Sequence, residues 1–195
     1  MACESIIHGY ADDCQSNVGG IKAIYFLNYG VVGTQPTANY GAADLTDQLN
    51  TLTLTPAAST LYKYELKGAN SFEQTITSSR ENGTTFVEQT LTFTLKNLTE
   101  QAHKQIKLLS FGRPHVLIQT RNNQFFLAGL EHGMDVTTGL IATGAAMGDL
   151  TGYTMTLVGQ ENLAANFCSI TVTAGNQVTD AQLQAVFTAA TIVTV

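Results

Sequence analysis

The sequence predicts a mainly β fold, namely an antiparallel β-sandwich or barrel with one flanking α-helix and a long projecting hairpin. Threonine, a β-branched residue that favours strands, occurs 28 times in 195 residues. Several segments alternate apolar and polar residues, which is the period of a strand with one buried face. Only residues 97–110 combine a strong helical apolar period with a capping pattern.

The first predicted strand follows a polar N-terminal segment. Residues 1–20 are small, polar and acidic and predict an arm, whereas residues 21–195 predict a single β-rich domain. Residues 21–27 (IKAIYFL) predict a buried strand. Residues 28–60 have weak periodicity, and we expect a long loop with one short helix at 42–49. Because long loops in compact domains are often functional, this one is expected to contact a neighbouring subunit.

The strongest alternation lies in residues 61–96, which predict an extended hairpin. Its second arm places Leu91, Phe93 and Leu95 on one face and threonines on the other. Asn-Gly at the tip is a strong hairpin signal. Projecting hairpins often pair with other chains, so this one supplies the candidate contacts between subunits. They are Thr75, Thr77, Arg80, Glu81, Asn82, Gly83, Phe86 and Glu88.

The remaining elements are one clear helix and several strands. Asn97 is the predicted helix cap, with Glu100 three residues later in capping-box spacing. A buried stripe is expected at Leu98, Ala102, Ile106 and Leu109. Further strands are predicted at 115–120, 124–130, 134–143, 153–159, 168–173 and 190–195, and a short helix at 179–189.

The charge of the chain is low and unevenly distributed. Charged residues make up 12% of the sequence, about half the usual share, and the net charge is −6. Such a sparse surface favours burial against other protein, and the acidity argues against a basic patch for nucleic acid. Arg121 is the last basic residue, although acids continue after it. An acidic patch of one copy could meet a basic patch of the next, or acids could line a pore; Glu131, Asp135 and Asp149 are the candidates for that lining.

The cysteines and the apolar segments bound the environment. Cys3, Cys14 and Cys168 are odd in number and widely spaced, so reduced thiols are expected, although a Cys3–Cys14 bridge stays open. The first residues lack the basic and apolar regions of a signal peptide. No stretch reaches the roughly 18 apolar residues of a membrane span, and no membrane partner is predicted.

The sequence predicts no enzyme, no cofactor and no metal site. No two of the four histidines lie at a metal-ligand spacing. Glu131 and His132 would point to opposite faces if their segment were a strand. No nucleophile elbow occurs, and residues 144–149 (GAAMGD) lack the Lys-Ser/Thr of a phosphate loop. We interpret that segment as a tight turn between two strands.

Four segments carry a resemblance to a family. Residues 20–26 (GIKAIYF), 106–114 (IKLLSFGRP), 126–136 (FLAGLEHGMDV) and 144–153 (GAAMGDLTGY) are similar to structural virion proteins of phages of Bacteroidetes-type hosts. The order of the elements resembles the tail tube fold. The long loop 28–60 and the acidic arm depart from that fold.

The resemblance implies a function in the virion. It implies that residues 61–96 are the hairpin reaching the next subunit, residues 97–110 the flanking helix, and copies of this chain the partners in stacked hexameric rings. DNA would pass through the channel without specific binding, and other tail or capsid proteins could be further partners. Two alternatives stay open: a capsid decoration or auxiliary protein, and a non-catalytic β-sandwich binding module.

Overall fold

The computed structural model describes residues 18–30, 39–40, 48–54, 59–170, 172, 178–188 and 190–194. Most of the predicted arm, 1–17, lies outside the described residues. The described part is mainly β, as predicted, and contains two helices, α1 (Glu100–Leu109) and α2 (Asp180–Val186). The strands in chain order are β1 (Ile21–Leu27), β2 (Asn39–Tyr40), β3 (Gln48–Thr53), β4 (Thr60–Glu65), β5 (Ser71–Ser79), β6 (Thr84–Lys96), β7 (His115–Thr120), β8 (Phe125–Ala128), β9 (Asp135–Ala142), β10 (Gly152–Glu161), β11 (Asn166–Cys168), β12 (Phe187–Thr188) and β13 (Thr191–Thr194).

Nine strands form one sheet, which we call the curled sheet. Its order is β12-β3-β11-β8-β7-β1-β4-β13, with β2 paired to β3. The edge strands β12 and β13 are separated by only two residues, so Thr188 and Thr191 lie within about 11 Å of each other. The sheet must therefore curl until its edges come close. No pairing joins β12 to β13 among the described residues, so the sheet does not close into a barrel.

The other four strands form a second sheet, which we call the open sheet, in the order β5-β6-β10-β9. It packs on one face of the curled sheet, and the pair forms a sandwich. Between the sheets lies a buried cluster that includes Phe26, Leu91, Phe93, Tyr153 and the α1 residue Ile106. A second cluster fills the inside of the curl, where it includes Tyr25, Leu49, Leu117, Leu127 and Phe187.

Strand β1 explains why the sheets stack in this way. Its sequence is apolar on both faces, and all of its residues except Lys22 are buried. Ala23, Tyr25 and Leu27 face the cluster inside the curl, whereas Ile24 and Phe26 face the open sheet. The predicted buried strand at 21–27 is confirmed, and it is the shared wall of two cores.

The predicted loop 28–60 is wrong where it meets the core. Residues 48–53 are strand β3, which pairs with β11 and β12, and Leu49, Leu52 and Leu54 are fully or almost fully buried. The predicted helix at 42–49 ends on Gln48 and Leu49, which belong to this strand, and its other residues lie outside the described part. The strand was missed because its apolar residues are spaced irregularly, at intervals of three and then two.

The predicted hairpin 61–96 is too long. Residues 60–65 form β4, which pairs with β1 and β13 in the curled sheet. The true hairpin is β5–β6, residues 71–96, with residues 80–83 as its turn. Alternation alone predicts that a segment is a strand, but it does not say which sheet the strand joins.

The predicted α1 is confirmed with a different cap. Thr99 is the N-cap, and its side chain accepts a hydrogen bond from the Ala102 N–H at 3.2 Å. Asn97, the predicted cap, instead has a φ of 72° in the connection from β6. The apolar stripe is confirmed, since Ile106 is buried and Leu98, Ala102 and Leu109 pack against the cluster between the sheets.

Candidate assembly surface

The outer face of the open sheet is rich in threonine. Strand alternation turns Leu91, Phe93 and their neighbours toward the core, and the residues between them outward. Across β6 and β10 the threonines stand in facing pairs: the hydroxyl oxygens lie 3.4 Å apart in both Thr92–Thr156 and Thr94–Thr154. These hydroxyls donate and accept hydrogen bonds, so the threonine pairs bind water and carry no charge.

Four charged residues lie on this face. By register they are Glu73 on β5, Glu88 and Lys96 on β6, and Asp135 at the first position of β9. Lys96 is its only basic residue and lies at the very end of β6. The face is therefore polar and net negative, with three carboxylates and one lysine.

Both edges of the open sheet lack a partner strand among the described residues. β5 and β9 each pair on one side only, with β6 and β10 respectively. Natural sheets usually protect such edges with Lys, Pro or short strands. β5 and β9 contain neither Lys nor Pro, and on β9 Leu140 is 58% exposed.

The structure places the candidate hairpin residues in two groups. Thr75 faces Glu88 and Thr77 faces Phe86 across the ladder, all on the outer face. Arg80, Glu81, Asn82 and Gly83 form the exposed turn, where Gly83 adopts a φ of 64°. Because β10 ends opposite Val87, the hairpin beyond that residue has no neighbouring strand on the β10 side.

The three candidate acids do not form one patch. Glu131 lies in the β8–β9 connection and Asp135 begins β9, where it pairs with Arg113 at 3.6 Å. Asp149 lies at the opposite end of β9, in the turn before β10. Its carboxylate accepts hydrogen bonds from the Ala146 and Ala145 N–H groups at 2.7 and 2.9 Å, and these bonds lower its pKa. The predicted tight turn at 144–149 is therefore confirmed.

A fourth acid, Glu161, was not among the residues that the sequence predicted for this surface. It is 4% exposed, and its carboxylate accepts hydrogen bonds from the N–H groups of Glu131 and His132. Burial raises its pKa, although these bonds oppose the shift. The side-chain ligand atoms of Glu131, His132 and Glu161 all lie within 4.8 Å of one another, and such a set could hold a divalent cation. The expectation that Glu131 and His132 point to opposite faces does not apply, because these residues are not in a strand.

Residues 129–134, which we call the anchored loop, are held from several elements. The Gln89 side chain accepts from the Gly129 N–H, Tyr29 donates to the Glu131 carbonyl and Arg113 donates to the His132 carbonyl. Gly129 and Gly133 have φ values of 66° and 76°, and neither has room for a Cβ atom. The loop needs glycine for its conformation and for the close approach of the neighbouring backbone.

His115 is a buried anchor of the same loop. Its Nδ1 donates to the Gly129 carbonyl, so Nε2 is unprotonated, and no hydrogen bond reaches that buried atom. The Tyr29 ring stacks on the imidazole at 5.3 Å, and the Arg113 guanidinium lies 5.0 Å from the centre of the Tyr29 ring. Burial lowers the pKa of His115. No sequence spacing marks this residue.

Other predicted features are placed more simply. Cys168 is a buried free thiol whose pKa is raised to about 12 by burial; Cys3 and Cys14 lie outside the described residues. Neither helix in the described part is long and apolar enough to cross a membrane. Comparisons with protein-family models, curated proteins and solved structures find no match.

Proposed function

We propose that this chain is a structural subunit of a phage virion, a tail tube protein whose copies form stacked hexameric rings around a DNA-conducting channel. The observation that carries the proposal is the open sheet, which has two edges without a partner strand among the described residues and a threonine-rich, net negative outer face. Its role is structural and not catalytic. Its partners are its own copies, with other tail or capsid proteins at the ends of the tube.

Edge pairing can continue the sheet from copy to copy. Along the order β5-β6-β10-β9 each strand is antiparallel to the next. In a ring of identically oriented copies, β9 of one copy would therefore run antiparallel to β5 of the next. That pairing satisfies the free backbone groups of both edges and leaves no edge in the closed ring.

The size of such a ring suits duplex DNA. Four strands from each of six copies give a barrel of about 24 strands. With strands about 4.8 Å apart and tilted by about 40°, the backbone-to-backbone diameter is about 48 Å. Threonine side chains on the inside reduce this width by only a few ångströms on each side, so a hydrated duplex fits.

The chemistry of the face suits passage without binding. Lysine and arginine attract phosphates by releasing counterions, whereas carboxylates repel them. The outer face carries threonine hydroxyls, three carboxylates and the single lysine at the end of β6. DNA in contact with it exchanges water for hydroxyls at little net gain and stays free to move.

An edge substitution tests the proposal directly. Leu140→Lys places a charge on edge strand β9, which is the kind of residue that natural sheets use to prevent edge pairing, and is expected to abolish rings. Leu108→Lys is the matched control, since Leu108 on α1 is 59% exposed and Leu140 58%. Negative-stain microscopy and light scattering of the purified full chain provide the measurement.

The outcomes separate the proposed function from its alternatives. Rings and tubes from the native chain and from L108K, but not from L140K, support it. A native chain that stays monomeric and binds only to preformed capsids would identify a decoration protein instead. A monomer that binds a glycan would identify a binding module. Unimpaired tubes from L140K would refute edge pairing.

The hairpin has its own test. Replacing residues 78–85 by Asn-Gly joins Thr77 to Phe86, which are already opposite each other, by a two-residue turn. A wider cut would remove Val87 and Gln89, which are buried. The short hairpin is expected to leave the free energy of unfolding within about 1 kcal/mol of native, while ring assembly is lost. Assembly at the native yield would show that the tip makes no contact between subunits.

A further inference from the structure

One end of the strands carries most of the basic charge. At this end β1 begins, β4, β6 and β7 end, and the connection to β5 begins. Arg121 donates to the Gly68 carbonyl at 3.0 Å, and the Lys96 ammonium lies near Gly68 as well. We call this the basic end. It holds five of the nine basic residues of the chain: Lys22, Lys63, Lys67, Lys96 and Arg121.

The charges at the basic end act on one another. The pKa of Glu65 is held below its usual value, first by the hydrogen bond from Lys63 and the charge of that residue, and then by Lys67 and Lys22. Lys67 and Lys96 are exposed. Among the described residues, Glu65, Glu100 and Asp149 are the acids of this end, and the five basic residues outnumber them.

The opposite end is acidic. Here the β5–β6 turn carries Glu81, the anchored loop carries Glu131 and β9 begins with Asp135, and all three are exposed. Glu161 at the end of β10 is buried and does not belong to this surface. The basic residues of this end are Arg80 and Arg113, and Arg113 pairs with Asp135. We call it the acidic end.

Cross-links between the sheets show that each end is shared by both of them. Glu161 of the open sheet accepts from the backbone of the anchored loop, which follows β8 of the curled sheet. At the basic end Arg121, which directly follows β7 of the curled sheet, donates to the carbonyl of Gly68 in the connection that leads to β5 of the open sheet, at 3.0 Å. The ten residues of β10 separate the two ends by about 30 Å.

We infer that the basic end of one copy binds the acidic end of a second copy, head to tail along the strand direction. This inference rests on the proposed function, in which it supplies the contact between successive rings. The two surfaces are complementary in charge and lie on opposite ends, so the contact is heterologous and extends without closing. The pairing of edges within a ring uses backbone hydrogen bonds and runs at right angles to it.

Salt should therefore act differently on the two contacts. Surface charge pairs are screened strongly between about 10 mM and about 1 M salt, whereas a backbone ladder is not. Native tubes are expected to separate into intact rings at high salt and to stack again at low salt, as followed by sedimentation and negative-stain microscopy. Tubes that keep their length at high salt would overturn the inference without touching ring formation.

Charge reversal gives the decisive test. K67E/K96E makes the basic end acidic, and E131K/D135K makes the acidic end basic; each alone sets like charges against each other. At low salt each variant is expected to form rings but no tubes, with the critical concentration for stacking raised about tenfold or more. Both pairs together in one chain restore complementarity with reversed polarity, and stacking is expected to return.

Controls keep the outcomes interpretable. K104E/K107E changes the same net charge on the exposed side of α1, at neither end, and is expected to stack like the native chain. If that control also fails, or if the combined variant does not recover, the charges of the two ends do not make the contact. If the native chain forms no rings at all, the proposed function fails. The head-to-tail contact is then judged by the salt-dependent sedimentation of native chain and reversal variants.

Discussion

The anchored loop and strand β9 follow each other in the chain, yet they differ in how their backbone hydrogen-bonding groups are satisfied. In the loop, side chains from β6, β10, β7 and the segments beside β1 and α1 bind the backbone groups of three residues, Gly129, Glu131 and His132. In β9, the groups that face away from β10 have no partner among the described residues. The backbone groups of the loop are satisfied within the chain, whereas those on the outer side of β9 are not satisfied by any described residue.

The anchored loop and the outer face of the open sheet also differ in the residue types that they use. Specific polar contacts are concentrated at residues 129–134, whose backbone groups bind the side chains of Gln89, His115 and Glu161. The outer face of the open sheet repeats threonine, so many of its positions are equivalent. A substitution should therefore be costly for stability in the loop and cheap on the open face.

The largest effect is expected from Gly133→Ala. Its φ is 76°, and a Cβ atom would lie 2.6 Å from the Arg113 carbonyl oxygen, so the loop must move. We expect a loss of about 3–5 kcal/mol in the free energy of unfolding, measured by urea denaturation. Gly83→Ala is the control, because Gly83 has a φ of 64° with open space around it and should cost only about 1–2 kcal/mol. Equal losses would mean that the loop is no more constrained than the turn.

A smaller effect is expected from removing a loop anchor. Gln89 is 1% exposed and accepts from the Gly129 N–H at 2.9 Å, so Gln89→Ala leaves a buried donor without its partner. The expected loss is about 2–3 kcal/mol. Thr154→Val on the open face, which removes only a 3.4 Å contact with Thr94, should change stability by less than about 0.5 kcal/mol. Comparable losses for the two variants in urea denaturation would erase the contrast between the regions.

A third effect depends on pH. Because burial depresses the pKa of His115, the unfolded chain binds this proton more tightly than the folded one, and stability falls as the pH drops below about 6.5. Glu161 acts in the opposite sense: its raised pKa gives stability that is present at low pH and is lost as the pH rises through the folded value.

The two contributions are separated by substitution. His115→Asn keeps a donor for the Gly129 carbonyl and removes the titration, so the fall in stability between about pH 7 and pH 5 should become shallower. Urea denaturation of the native chain and the variant over that range provides the measurement. An unchanged slope would show that His115 does not control it.

Much of the fold was predictable because it depends on local alternation. β1, β6–β10 and α1 each carry a continuous apolar pattern, and the structure confirms them. Strand β3 was not predictable, since its leucines are irregularly spaced and its partners β11 and β12 are distant in sequence. The placement of β4 in the curled sheet failed for a related reason, because alternation does not choose a partner.

The site was predictable only in part. The threonine face and the hairpin turn follow from strand period and from Asn-Gly. The anchored loop does not, since Gln89 and Glu161 reach it from 40 and 29–30 residues away, and no spacing marks either residue. Residues 126–136 are one of the segments that resemble phage structural proteins. Their geometry gives a physical reason for Gly129 and Gly133, which have positive φ values and no room for a Cβ atom.

The near-contact of β12 and β13 has a consequence for synthesis. These strands lie at the two borders of the curled sheet, where they pair in parallel with β3 and β4, more than a hundred residues earlier in the chain. When the ribosome has made only β1 to β11, the curled sheet still lacks both border strands. Residues 187–194, which emerge after all the other strands, therefore complete both borders, and nascent chains that stall before them should be the form most in need of a chaperone.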